Sequence, residues 1–98
     1  VKSFKFFDHL LKTAQQLERY FKGAANHHRI SILLLVEKEP GVSVEGIAEA
    51  LSTDLKNVSQ HSRRLVQAGL LNKQYRGRRV VHELSPYGRA FLKFMRTF

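Results

Sequence analysis

The spacing of hydrophobic residues predicts two helices in the first part of the chain. Over residues 3–22, hydrophobic residues recur at intervals of three and four: Phe4, Phe7, Leu11 and Ala14. This is the period of an amphipathic helix. A second helix over residues 27–38 follows Asn26, a residue type that favours helix N-caps. Because the run Ile32–Val36 makes this helix apolar on nearly all sides, we expect it to lie at the centre of the domain.

Two shorter helices follow, joined by a tight turn at residues 51–54. Ser43 can cap the first, whose apolar residues have helical spacing: Val44, Ile47, Ala48 and Leu51. Asp54 can cap the second, which spans residues 55–68 and ends at Gly69. Its inward-facing residues are expected to be Leu55, Val58 and Leu65. Two helices across such a turn are typical of a helix-turn-helix.

The last third of the chain predicts a hairpin and one more helix. Strands over residues 70–75 and 79–84 flank a turn at 76–78, where Gly77 supplies the positive φ of a tight hairpin. In the second strand, one face is shared by Val80, His82 and Leu84. Ser85 can cap a last helix, residues 86–97, with Pro86 at its first position. The apolar stripe of this helix comprises Phe91, Phe94 or Met95, and Phe98.

These elements predict a mainly α (α+β) winged helix-turn-helix in a single domain over residues 1–98. The wing is the basic hairpin at residues 73–80. All seven phenylalanines of the chain lie in the two terminal helices. We therefore expect helices 3–22 and 86–97 to pack together and form a symmetric dimer interface, although a monomeric core rich in phenylalanine is the alternative. The predicted interface residues are Phe4, Phe7, Leu11, Phe91, Phe94, Met95 and Phe98.

Charge is distributed unevenly along the chain. The formal net charge is +9; residues 1–54 carry seven basic and seven acidic side chains, whereas residues 55–98 carry ten basic ones and only Glu83 as an acid. A positive surface confined to one half indicates an anionic partner, either nucleic acid or a membrane surface. Because the charge coincides with the helix-turn-helix and the wing, double-stranded DNA is the favoured partner.

The second helix of the pair is the candidate recognition helix, since an α-helix fits the major groove of DNA. Its predicted DNA contacts are Lys56, Asn57, Ser59, Gln60, His61, Arg63 and Arg64. Asn and Gln can bond adenine bidentately, whereas the arginines and the serine suit phosphates. In the wing, the predicted contacts are Lys73, Arg76, Arg78 and Arg79. Tyr75 is expected to pack within the wing.

Other functions find little support in the sequence. The chain has no cysteine, which excludes disulfides and cysteine-ligated zinc. His27 and His28 are adjacent and would point about 100° apart on a helix, so we predict no metal site and give them capping or surface roles. No cofactor motif and no nucleophile elbow is present, which argues against an enzyme. The longest apolar run, Ile32–Val36, is too short to span a bilayer, and we expect a cytoplasmic protein without membrane contact.

Residues 25–88 resemble the ArsR family of winged-helix transcriptional regulators. The likeness is carried by VSQHSRRLVQAGLL followed by RGRRVVHEL, while the closing LSPYGRAFL is similar to MarR-type regulators. The resemblance implies a homodimeric, promoter-binding repressor whose DNA contacts include Lys56, Asn57, Ser59, Gln60 and His61, with Arg78 and Arg79 in the wing. Many members of that family sense metals through cysteines on the helix before the recognition helix, and others through Asp/His pairs on the last helix. This sequence has neither. Ser62 replaces the usual inward leucine, and its hydroxyl is expected to bond a main-chain carbonyl one turn back.

The sequence thus predicts a sequence-specific repressor that binds a palindromic operator as a homodimer. A nonspecific nucleic-acid binder, either chromatin-like or RNA-binding, is the alternative, as is a MarR-like regulator or a winged-helix module that binds an acidic protein. The sequence does not identify what controls DNA binding. The three alternatives are a small molecule bound at the dimer interface, pH acting through the histidines, and the abundance of the protein alone.

Overall fold

The structure, a computed structural model, describes residues 11–98; the predictions for Phe4 and Phe7 lie outside the described residues. In chain order the elements are α1 (Ala14–Ala24), α2 (His27–Lys38), β1 (Val42–Ser43), α3 (Val44–Ala50), α4 (Leu55–Gln67), β2 (Leu71–Arg76), β3 (Arg79–Leu84) and α5 (Pro86–Met95). The strands form one antiparallel sheet in the order β1-β3-β2. Across residues 11–98 the predicted winged helix-turn-helix is confirmed.

Helix α1 begins later than the hydrophobic spacing predicts. The side chain of Thr13 accepts a bond from the Gln16 amide at 3.1 Å, and the Gln16 side chain accepts one from the Thr13 amide at 2.9 Å. This reciprocal capping box starts the helix at Ala14. The predicted continuous helix through Leu11 is therefore wrong over residues 11–13, and Leu11 lies fully exposed ahead of the helix.

Helix α2 occupies the centre of the domain, as its all-round apolarity predicts. The Asn26 side chain accepts from the amides of His28 and Arg29, which confirms the predicted N-cap. Ile32, Leu33 and Val36 are among the most buried residues of the core. This helix forms the base on which the helix-turn-helix and the sheet pack.

The helix-turn-helix has the predicted caps, with Ser43 on α3 and Asp54 on α4. In the turn between them, Ser52 has a φ of 53°, a left-handed conformation that the local hydrogen bonds of the turn maintain. Leu55 is 50% exposed, so the expectation that it turns inward is wrong, because the first turn of α4 projects beyond the core. Val58 and Leu65 are buried as predicted.

Ser62 lies on the buried side of the recognition helix, as predicted. Its hydroxyl donates to the main-chain carbonyl of Ser59 at 3.3 Å, which satisfies a polar group in a position that faces the protein interior. The bond is long for a hydroxyl donor, so this serine is weakly held. The predicted backbone partner one turn back is confirmed.

The sheet contains one strand that the sequence did not predict. The two residues of β1 pair with β3, with Val42 opposite His82 and Ser43 opposite Val81. Arg76 pairs with Arg79 in the β2–β3 ladder, so the turn consists of Gly77 and Arg78 rather than residues 76–78. Gly77 has a φ of 63°, which suits a two-residue hairpin turn.

The last helix is fixed to the end of the recognition helix. The hydroxyl of Ser85 donates to the Gly69 carbonyl at 2.6 Å and accepts from the Gly88 amide at 3.0 Å, while the Ser85 amide donates to the Leu70 carbonyl at 3.2 Å. This confirms the predicted cap, but α5 ends at Met95 instead of residue 97. Leu92, absent from the predicted stripe, is its fully buried residue. None of the helices described is long and apolar enough to cross a membrane.

Replacement of Gly88 by alanine tests this junction. A Cβ at position 88 would lie 2.2 Å from the Leu70 carbonyl oxygen, a backbone atom that cannot move aside. Helix propensity alone favours alanine by about 1 kcal/mol, whereas overpacking costs about 1–3 kcal/mol. We expect a net loss in the free energy of unfolding in urea, and little change for the exposed control Lys93→Ala in the same helix. A more stable Gly88→Ala protein would contradict the close approach.

Candidate nucleic-acid interface

The exposed face of the recognition helix α4 begins with Lys56 and Gln60, which lie one turn apart and are open to solvent. Neither side chain makes a hydrogen bond or an ion pair with another described residue. Asn57, between them, is half-buried and its Nδ2 donates to Thr53 Oγ1 at 2.8 Å. The Asn57 amide group is thus held in one orientation and retains its carbonyl oxygen and one N–H for a further partner.

His61 turns toward α2 rather than outward. Its Nδ1 lies 3.3 Å from an Arg29 guanidinium nitrogen, and its ring stacks on His28 at a centroid distance of 5.2 Å. Since a guanidinium can only donate, Nδ1 must be unprotonated in this contact. Burial lowers the pKa of His61, and the nearby Arg29 charge lowers it further. The ring is therefore neutral and serves first to join α4 to α2.

The predicted divergence of His27 and His28 is wrong. Their rings lie side by side at a centroid distance of 4.1 Å, because His28 bends toward His61 across the N-terminus of α2. Within residues 11–98, no group of three or more His, Cys, Asp or Glu side chains is arranged to hold a metal ion. The rings of His27, His28 and His61, with the Arg29 guanidinium, thus pack together beside the recognition helix.

Arg63 and Arg64 occupy different sides of α4. Arg63 lines a cleft between α4 and the wing, where it is joined by Lys73. Arg64 lines a second cleft on the side of α1 and α2, together with the basic side chains Arg19, Lys22 and Arg29. Of these, Lys22 has a carboxylate partner, Glu18, at 3.1 Å. The recognition helix is therefore flanked by positive charge on both sides.

Sequence reasoning missed Arg29 as a residue of this surface. A positive charge directly before the hydrophobic run of α2 indicated that one side of this helix leaves the core. The Arg29 Nε atom is shielded from solvent without a partner among the described residues.

The wing presents a row of exposed cations. Arg78 and Arg79 are exposed, whereas Arg76 has Glu83 as a partner at 3.5 Å. Tyr75 is 69% exposed, so the expectation that it packs within the wing is wrong; instead the Lys73 ammonium lies 5.4 Å from the centre of its ring. The ring stands out from a short two-stranded ribbon that has no second layer to cover it.

An apolar surface lies between α1 and α5, and Lys12 also lines it. It surrounds an open cleft of about 440 Å³ lined by Leu11, Leu17, Tyr20, Phe21, Tyr87, Phe91 and Phe94, among others. Phe21 contacts Phe91 and Phe94 edge to face, at 5.2 and 5.9 Å between ring centres. Phe98 is almost fully exposed and its ring contacts that of Phe94, while Met95 and Phe91 are half-buried. The described residues of the predicted dimer interface thus border one surface.

Comparisons with known proteins agree with this architecture. The model of the MarR family matches residues 26–76, which is more than half of the chain. A search of curated proteins finds no match. One solved structure of the same fold is described as a possible ArsR-family regulator. The chain therefore resembles ArsR-type regulators as well as the MarR family.

Several solved structures have the same fold. The homodimeric winged helix-turn-helix DNA-binding domain Mb0332 from Mycobacterium bovis, described as a possible ArsR-family transcriptional regulator, has a TM-score of 0.75 and 28% identity over 85% of this chain and 76% of that one. HlyU from Vibrio cholerae has a TM-score of 0.77 at 24% identity, covering 88% of this chain and 94% of that one. A possible transcriptional regulator for arsenical resistance has a TM-score of 0.67 and 28% identity, covering 78% of each chain.

The buried histidines predict a loss of stability in acid. The pKa values of His61 and His82 are both lowered from 6.5, mainly by burial. As the pH falls below about 6.5, the unfolded chain takes up protons that the folded chain does not, so the free energy of unfolding decreases. Urea titrations across this range should show that decrease, and the free energy of unfolding should depend less on pH in His61→Gln and in His82→Gln. If neither variant changes the dependence on pH, the histidines are not its origin.

Proposed function

Because the chain belongs to the MarR family of winged-helix regulators, we propose that it is a sequence-specific transcription factor that acts as a repressor. The observation that carries the proposal is the placement of the exposed polar residues Lys56 and Gln60 between two positively charged flanks on one helix. A face made for nonspecific attraction needs only lysine and arginine, whereas an amide at its centre can distinguish bases.

In this proposal α4 enters the major groove with its N-terminal half. Gln60 bonds an adenine through its amide, and Lys56 donates to the acceptors of a guanine. Asn57 is pre-oriented by its bond to Thr53, which reduces the entropy that a base contact would cost. Arg63, Arg64 and Ser59 contact phosphates, which sets the position of the helix in the groove.

The wing contacts DNA beside the recognition helix. Arg78 and Arg79 are free to enter a minor groove or bond phosphates, because the turn at Gly77 places them at the exposed end of the ribbon. Arg76 is restrained by Glu83 and contributes less. Lys73 lies farther from the tip of the wing, beside α4, and faces the DNA backbone between α4 and the wing.

We further propose that two copies associate through the apolar surface between α1 and α5. Exposed aromatic side chains grouped on two adjacent helices are typical of a dimer interface. Mb0332, with 28% identity, is described as homodimeric, which supports this assembly. Two-fold symmetry would set the recognition helices about 34–36 Å apart, so the operator would be a palindrome with half-sites one helical turn apart.

Selection from randomised duplex DNA tests the proposal directly. We expect an enriched palindrome, and its affinity should exceed that for a scrambled duplex at each salt concentration. Salt-sensitive binding without enrichment would favour the nonspecific alternative, and binding to RNA alone would contradict a DNA regulator. A promoter fusion carrying the selected site should then decrease in expression when the protein is supplied.

Two variants should separate base contacts from phosphate contacts. Gln60→Ala should lose about 1–3 kcal/mol of discrimination between the selected and the scrambled site. Arg78→Ala should weaken binding to both duplexes equally and reduce the salt slope by about one unit. Fluorescence anisotropy titrations at several salt concentrations measure both quantities, with Lys93→Ala as the control. Unchanged discrimination in Gln60→Ala would show that this residue does not read a base.

The dimer interface can be tested with one charged substitution. Phe94→Asp should raise the dissociation constant of the dimer by about tenfold or more, since an unpaired carboxylate would replace an aromatic contact. Leu34→Asp is the matched control, because Leu34 on α2 has the same exposure, 44% against 43%, outside the proposed interface. Sedimentation velocity gives both constants. Equal behaviour of the two variants would contradict the assigned surface.

A further inference from the structure

A cleft of about 270 Å³ separates the recognition helix α4 from the wing. Its polar lining includes Ser59, Ser62, Arg63, Lys73 and His82. Lys73 and His82 are direct partners across β2 and β3, so their side chains lie on the same face of the sheet. That face is turned toward α4, and the two strands and the helix therefore bring three basic groups around one space.

His82 is, with Ser62, one of the two buried polar residues of this cleft. Its side chain is 3% exposed, and its Nδ1 is shielded from solvent without a hydrogen-bond partner among the described residues. An unpaired buried polar atom costs about 1–3 kcal/mol. Burial lowers the pKa of His82, and the Lys73 ammonium lowers it further, so the imidazole of the free protein is neutral near neutral pH.

The charged groups that line the cleft are all positive. Lys73 from β2 and Arg63 from α4 face His82, and of the neighbouring β1 and α3 only the apolar Val44 contributes to the lining. No carboxylate is among the described residues around it. The hydroxyl of Ser62 has only its long bond to the Ser59 carbonyl, and it can turn to another acceptor. Two cations, two hydroxyls and an unpaired imidazole nitrogen fit an anion with several acceptor oxygens.

We propose that this cleft seats a phosphate of the DNA backbone and that His82 takes up a proton from solvent when the phosphate enters. The proposal rests on the DNA binding proposed above. With α4 in the major groove and the wing beside it, the strand between the two grooves passes the space between α4 and β2. The negative charge of the phosphate then stabilises an imidazolium that burial and the Lys73 ammonium disfavour in the free protein.

Coupled proton uptake makes DNA affinity dependent on pH. Where His82 is neutral in the free protein and protonated in the complex, affinity rises as the pH falls, by at most about tenfold per pH unit for each protomer. Because a phosphate carries no sequence information, the same dependence should appear with a selected site and with a scrambled duplex.

The test compares duplex binding by fluorescence anisotropy from about pH 8 to about pH 6 at constant salt, the range in which histidine titrates. The wild-type protein should bind more tightly as the pH falls, and His82→Gln should lose most of that gain. His27→Gln is the matched control, since this exposed histidine on α2 does not line the cleft, and it should keep the gain. Circular dichroism at each pH confirms that the proteins compared are folded.

A second measurement needs no variant. The His82 ring resonances of the wild-type protein should titrate at a higher pH in the duplex complex than in the free protein. An unmoved titration, or a pH dependence that survives His82→Gln, overturns the proposal while leaving DNA binding intact. Absence of wild-type binding to any duplex overturns both this proposal and the proposed function.

Discussion

Two adjacent peptide carbonyls, those of Gly69 and Leu70, hold the recognition helix, the wing and the last helix in one arrangement. Ser85 bonds both of them, through its hydroxyl and its amide, and the same hydroxyl caps α5 at Gly88. Gly69 has a φ of 81° and lies in the three-residue connection, residues 68–70, between the end of α4 at Gln67 and the start of β2 at Leu71. Because this connection is short and is bonded to Ser85, a rotation of α5 must be accompanied by movement of the recognition helix or the wing.

This junction connects the proposed dimer surface directly to the proposed DNA surface. Helix α5 carries the apolar residues Phe91 and Phe94, while α4 and the wing carry the cations. The spacing of two recognition helices in a dimer would therefore be set by the packing of α5 rather than by flexible segments. Glu37 on α2 strengthens the connection by pairing with Arg96 just beyond α5, and the Arg96 guanidinium lowers the pKa of that carboxyl. This pair connects the residue directly after α5 to the central helix α2.

Local chemistry made much of the fold predictable. Four helices are each capped by a side chain that accepts a hydrogen bond from a main-chain amide two or three residues later. Sequence neighbours therefore suffice to identify these caps, which are Asn26, Ser43, Asp54 and Ser85. The strand β1 was missed because two residues carry no periodic pattern, and its pairing with β3 is a contact between distant parts of the chain.

The candidate site was predictable in composition but not in detail. The residue types at positions 56–64 indicated a DNA surface, yet helical geometry alone could not distinguish an outward His61 from one held by Arg29, thirty-two residues earlier. Likewise, the alternation of side chains between the two faces of a strand placed His82 on the correct face. The burial of His82, however, depends on how closely α4 approaches the sheet. Side-chain environments of this kind are set by tertiary packing, which a single sequence does not encode locally.

The proposed dimer would bring together two chains of net charge +9. Repulsion between exposed charges falls off over about 8 Å at physiological ionic strength, so its effect depends on where the charges lie rather than on their total. Here the excess is carried mainly by α4 and the wing, whereas residues 1–54, which include α1, sum to zero. Arg96, near α5, is neutralised by Glu37. The arrangement thus leaves the aromatic surface free to pair, while the cations of α4 and the wing other than Arg76 have no carboxylate partner among the described residues. Their mutual repulsion is a cost in the free protein that a phosphate backbone would relieve, and that relief is a source of DNA affinity.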